Sequence, residues 1–263
     1  MKSQIVVCIP TNFQNRREVA AALTDRYGAE YVFMGRVFCS TTTADSCAID
    51  ICDRQAVLHL KLLQNKTIQG SVFDSQTEVS LADDFELAAT TRIDLVTRQQ
   101  INRSEQIIYL TADRVGYDAC LQIARLAEVL LAIGGIAIKV ESTGIAHSRS
   151  KWLANYDSDD VFEIQSLYVR LIEGEYYYSC GMHNFGKADV AISLDVDIGL
   201  AIYVMNVFNY YRLTESPILQ DGHTFQPDVS CDRYQIKWIE DDEETPDSLL
   251  HNPYGRWLLV ISN

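Results

Sequence analysis

Apolar positions fall into short β-branched runs at first and into longer stretches later, and these set the expected elements. Residues 4–9 (QIVVCI) predict a strand that Pro10 ends, and Asn12 or Asn15 can cap a helix running through Tyr27. Residues 31–40 and 46–52 predict two strands around a Thr/Ala/Asp turn, followed by a helix over 54–64. Residues 67–103 show no clear period, and only 83–89 fit a helix.

The pattern is clearest from residue 105 onward. Residues 105–111 predict a strand, and 117–133 a helix that is apolar on nearly every face and therefore buried. Gly134 and Gly135 stop it, because glycine tolerates the backbone angles of a helix C-cap. The unbroken apolar run 136–140 then predicts a strand covered on both faces, and a polar turn leads into a helix over 150–156. Residues 164–172 and 176–180 predict a hairpin about Glu173-Gly174-Glu175, and 188–194 a strand. A second long apolar helix is expected over 198–212, and strands over 234–239 and 256–261. Strands and helices mix without strict alternation, which predicts an α+β fold with a largely antiparallel sheet packed by helices.

Length permits a single globular unit over residues 1–263 or two similar halves, 1–103 and 104–263. An apolar fraction of 48% against 22% charged residues supplies enough core for independent folding. Seven scattered cysteines, an odd number with no C-x-x-C pair, fit buried thiols in a reducing compartment better than a disulfide framework. With no signal-peptide pattern and no bilayer-length apolar run, the expected location is the cytoplasm.

Charge is distributed unevenly. Residues 1–150 carry 15 Lys+Arg against 17 Asp+Glu, and residues 151–263 carry 7 against 19, so the halves differ as −2 and −12 of the total −14. A field of that sign repels nucleic acid and anionic lipid, and draws in a basic protein. The acidic runs Asp157, Asp159, Asp160 and Glu240, Asp241, Asp242, Glu243, Glu244 are candidate contacts, as are the Tyr210-Tyr211 pair and Tyr176 and Tyr178, whose side chains alternate with Tyr177 if the segment is a strand. Solvated loops and core tyrosines are the plainer reading of the same residues.

Candidate chemistry gathers near Glu141, Ser142, His147 and Trp152, and again at Cys180, His183 and His251. Cys180 and His183 form one C-x-x-H pair, but zinc needs four ligands and usually two such pairs, so no metal and no cofactor are expected. Ser142 or Cys180 beside His147 or His183 contains the residue types of nucleophilic catalysis, without a nucleophile-elbow or cysteine-protease signature. Phosphate-binding glycine loops are missing too.

Three segments, GGIAIKVESTGIAHSRSKW (134–152), YSCGMHNFGKADV (178–190) and SLLHNPYGRWLLV (248–260), resemble in order and spacing a bacterial domain-of-unknown-function family, number four-two-six-one. Members of that family often lie beside polymorphic secreted toxins. The resemblance therefore implies an immunity protein that blocks a cognate toxin, of the type VI or Rhs-like kind and directed at NAD or nucleic acid, by occlusion rather than catalysis. It supplies no catalytic residues. The alternative is an enzyme or small-molecule-binding protein whose pocket is built from the Glu141/Ser142/His147 and Cys180/His183 segments.

Overall fold

A computed structural model of the chain describes residues 4–14, 16–27, 37–39, 47–53, 56–64, 80–112, 114–240, 245–246, 248 and 250–262. The fold is α+β, with helices packed on two mostly antiparallel sheets.

The first sheet has seven strands: β1 (Ile5–Thr11), β2 (Val37–Cys39), β3 (Cys47–Asp53), β4 (Ala56–Gln64), β5 (Gln106–Ala112), β6 (Ala137–Val140) and β7 (Ile145–Ser148). Their spatial order is β2-β3-β4-β5-β1-β6-β7, with every pair antiparallel. Side chains alternate across β1, so Ile5, Val7 and Ile9 enter one core while Cys8 enters the other. The first core is filled by α4 (Tyr117–Ile133) with Val19 of α1 (Arg16–Tyr27), and by α5 (Arg149–Asn155) and α6 (Val161–Tyr168). The opposite face is covered by α2 (Leu81–Ala88) and α3 (Leu95–Arg103) through Ala82, Phe85 and Ile101. Both helices start on side-chain caps, with Ser80 accepting from the Asp83 amide and Asp94 from the Thr97 amide.

The second sheet has the order β11-β12-β13-β10-β9-β8, from β8 (Arg170–Glu173), β9 (Tyr177–Cys180), β10 (Asp189–Ile192), β11 (Thr224–Phe225), β12 (Tyr234–Ile239) and β13 (Arg256–Ile261). Only β10 and β13 run parallel. The 17-residue helix α7 (Ile198–Thr214) lies on one face, burying Ala201, Val204, Met205 and Phe208 against Val190, Ile192, Tyr234, Ile236 and Leu259. A 3-10 turn, Met182–Phe185, joins β9 to β10 and sends Met182 and Phe185 into the core around α4.

Three expectations need correction. Residues 56–64 form strand β4 rather than a helix: Leu58, Leu60 and Leu62 alternate with His59 and Lys61, and β3 and β5 hold the segment on both sides. Residues 161–168 are helix α6, capped by Asp160, and only 170–173 belong to the hairpin. Strand β1 continues through Pro10 to Thr11. The proline carbonyl accepts from Ile136 N–H on the β6 side, so its missing donor also falls there, where pairing with β6 is reduced to a single bridge, Thr11 to Gly135, while the β5 ladder continues unbroken. The first sheet takes strands from both sides of residue 103.

Candidate functional site

The β6–β7 hairpin turns tightly through Glu141 to Gly144 and brings several candidate residues together. Ser142 Oγ donates to Asn184 Oδ1 at 2.7 Å, and the Asn184 carbonyl accepts from Gly116 N–H at 2.8 Å. His147 Nε2 lies 2.9 Å from the Leu167 carbonyl, and its ring stands 5.7 Å from that of Trp152. Trp152 Nε1 donates to Ala124 O at 3.1 Å and meets Tyr168 edge-on, whose hydroxyl donates to Cys120 O at 2.7 Å. Each polar group thus ties one element to another.

This junction is solid core. Ser142, His147, Trp152 and His183 are all 2% exposed or less, and Cys180 is buried as well. Ser142 faces an amide rather than a base, and His147 faces a carbonyl, so the nucleophile–base pair required for covalent catalysis is not formed between them. Glu141 leaves the group: following the alternation of Ala137 and Lys139, its carboxylate lies 3.2 Å from Lys139 Nζ, which also meets Asp84 of α2 at 2.6 Å. Burial pushes the Cys8 and Cys120 thiols well up, so neither supplies a thiolate. Among the described residues, no group of three or more His, Cys, Asp or Glu is arranged to hold a metal ion.

The Cys180–His183 segment borders a second buried set. Asp189 Oδ1 accepts from Ser179 Oγ at 2.9 Å and from Met182 N–H at 3.1 Å, while Asp189 Oδ2 accepts from Asn252 Nδ2 at 2.5 Å. Burial raises the Asp189 pKa, against the attraction of His183 and these donors. His251 is half-buried next to Asn252. Close by, Arg212 donates to Ala188 O at 2.6 Å and to Asn209 Oδ1, and lies 4.8 Å over the Phe208 ring. Burial lowers its pKa to about 10, so the guanidinium remains charged at neutral pH but is sequestered.

The candidate contacts divide similarly. Asp157 is held by Arg125 at 2.7 Å, and Asp160 is occupied as the α6 cap, whereas Asp159 and Glu240 are exposed. Asp241, Asp242, Glu243 and Glu244 lie outside the described residues. Tyr178 is half-buried with the Arg256 guanidinium 4.1 Å over its ring, and Tyr176 is half-buried just before β9.

A further surface, of which the sequence pointed only to Tyr210 and Tyr211, lies on α7. Opposite its buried side, Ile198 (52% exposed), Ile202, Tyr203 and Tyr210 face solvent with no charged residue among them. At its C-terminal half, Val207 and Tyr211 form one wall of a groove of about 660 Å³, with Ile218, Leu219, Phe225 and Ile236 also lining it. Ile218 is 86% exposed. Between Lys187 and Arg233 the chain carries Asp195, Asp197, Glu215, Asp221, Asp228 and Asp232 at least partly exposed, and its sole Lys or Arg is the buried Arg212. That charge gap was the available signal; what it could not reveal is that one side of α7 lies open.

Among the described residues, no helix is long and apolar enough to cross a membrane. No family model, curated protein or solved structure matches the chain.

Proposed function

We propose that this protein is a non-catalytic binding protein that captures a basic protein partner, and that the partner is a cognate secreted toxin whose active site it occludes. The observation that carries the reading is the uncharged, outward-facing side of α7, bordered by carboxylates with no accessible cation between Lys187 and Arg233. An exposed apolar patch with a polar rim is the usual anatomy of a protein interface, and tyrosines supply large contact area with a hydrogen-bonding tip. The acidic rim would speed encounter with a basic surface and reject acidic proteins. The resemblance of the 134–152, 178–190 and 248–260 segments to a toxin-associated family supports the choice of partner.

The enzyme alternative has less support. Ser142 and His147 are buried, and they bond to an amide oxygen and a backbone carbonyl rather than to each other as nucleophile and base.

The test is affinity capture of the tagged protein from cells co-expressing the neighbouring upstream gene, at low and high salt. A stoichiometric basic partner that is toxic when expressed alone, and whose association slows as salt rises, is the expected result. Capture of no partner under either condition would overturn the reading.

A further inference from the structure

Strand β11 ends the second sheet, pairing with β12 alone through Thr224 opposite Gln235 and Phe225 opposite Tyr234. The His223 carbonyl accepts from Ile236 N–H at 2.7 Å and Gly222 N–H donates to Ile236 O at 2.9 Å, while His223 N–H bonds to Gln220 O; the next residue to turn its backbone groups toward β12 is Phe225. By the antiparallel alternation, Thr224 N–H and C=O turn outward. This open edge borders the groove whose other wall is Val207 and Tyr211.

The groove has a fixed shape. Asp228 accepts from Tyr203 Oη of α7 at 2.8 Å and from Ser230 Oγ and N–H at 2.5 and 2.7 Å, which fastens the 226–231 loop to the helix. The Ser230 hydroxyl first, and then the other donors, hold the Asp228 carboxyl far below the usual range, so its negative charge is permanent at physiological pH. Glu215, Asp221 and Asp232 add to the same field.

From the open edge, the apolar walls and these rim carboxylates, which outnumber the one cation near them, Lys187 at Ser216, we propose that the groove takes an extended segment of the partner, bearing Lys or Arg at alternate positions, which adds as a strand to β11. The inference rests on the binding-protein reading above and specifies how the partner is held. In such β-augmentation the backbone bonds supply affinity, and alternate side chains supply specificity. Apolar side chains of the segment enter between Tyr211 and Ile218, and its cationic ones turn to the carboxylates.

The test uses the full-length protein and a fluorescein-labelled ten-residue peptide of alternating Lys and Val, with an alternating Glu/Val peptide as control, followed by fluorescence anisotropy. The Lys/Val peptide is expected to bind at least ten-fold more tightly than the Glu/Val peptide. Two variants locate the site. Thr224→Pro deletes an outward N–H that β12 does not use, so the sheet tolerates it. Ile218→Asp changes a side chain that is already in solvent. Each is expected to weaken Lys/Val binding at least ten-fold at unchanged Tm. Non-specific attraction to an acidic protein predicts the reverse for Ile218→Asp, which adds a negative charge. Absent binding, equal binding of both peptides, or indifference to both substitutions overturns the inference. A captured toxin that still binds both variants overturns the groove while leaving the binding-protein reading intact, whereas capture of no toxin removes that reading and the partner segment with it.

Discussion

His147 Nε2 lies 2.9 Å from the Leu167 carbonyl oxygen, which makes Nε2 the protonated nitrogen and leaves the acceptor Nδ1 buried without a donor. Burial, with a smaller repulsion from Lys151, lowers the His147 pKa to about 4 from its usual 6.5 despite that bond. The unfolded chain therefore takes up this proton first as pH falls. Stability from this group is fully present above pH 6.5, and is lost between there and pH 4, by at most about 3 kcal/mol. Urea unfolding at pH 7.5 and 5 measures the loss, and His147→Gln, which retains a donor for Leu167, should flatten the difference. An equally steep dependence in the variant would place the titration elsewhere; Asp189, with its raised pKa, works in the opposite sense, costing stability as pH climbs above 3.8.

The Asp189–Asn252 bond is directional, and its polarity can be exchanged. Asp189→Asn sets two amide NH₂ groups against each other in a site 2% exposed or less, which should cost about 2 kcal/mol. Asn252→Asp sets two carboxylates together and should cost more. The double exchange restores one donor opposite one acceptor and should recover part of the loss, giving a coupling energy of about 1 kcal/mol or more in a double-mutant cycle. Simple additivity would show that the contact is not energetically coupled.

Gly181 is required by both backbone and space. Its φ is 125°, and a Cβ there would stand 2.1 Å from Tyr168 O and 2.3 Å from Thr143 Cγ2. Gly181→Ala should destabilise by roughly 3 kcal/mol or more, because the clash is with the α6 backbone where the end of β9 meets the 142–144 turn. Chemical denaturation would detect this, and a loss under about 1 kcal/mol would mean that β9 and the 142–144 turn can separate without cost.

Ile202 separates binding from folding. It is 41% exposed on α7, so Ile202→Asp should alter stability by no more than about 0.5 kcal/mol while weakening capture of the partner at least ten-fold. Asp159→Asn, on the acidic run that first draws notice in the sequence, is the comparison. If it weakens capture more than Ile202→Asp does, the interface lies at the 157–160 loop instead.

Strands 234–239 and 256–261, and the helices at 117–133 and 198–214, were legible because their apolar spacing matches their final environment. Residues 56–64 were misread because short leucine-rich runs satisfy either period, and only neighbours β3 and β5 decide between them. The 145–148 strand was hidden for another reason: IAHS is short, and its pairing with β6 depends on the turn at 142–144. Ser142, His147 and Trp152 stand close in the sequence, yet each bonds to a different element, and polar type alone could not distinguish a pocket from a set of core ties. Of the exposed side of α7 only the Tyr210-Tyr211 pair drew notice, because hydropathy records what a residue prefers and not what is left to cover it.

The position of β1 also bears on how the chain reaches this fold. Strand β1 is a central one, with Ile5 opposite Ala112 and Cys8 opposite Lys139. It therefore gains β5 only once residue 112 has been made and β6 only after residue 140, so both backbone edges wait for partners about 100 residues or more further along. Closing loops of that length slows folding relative to local pairing.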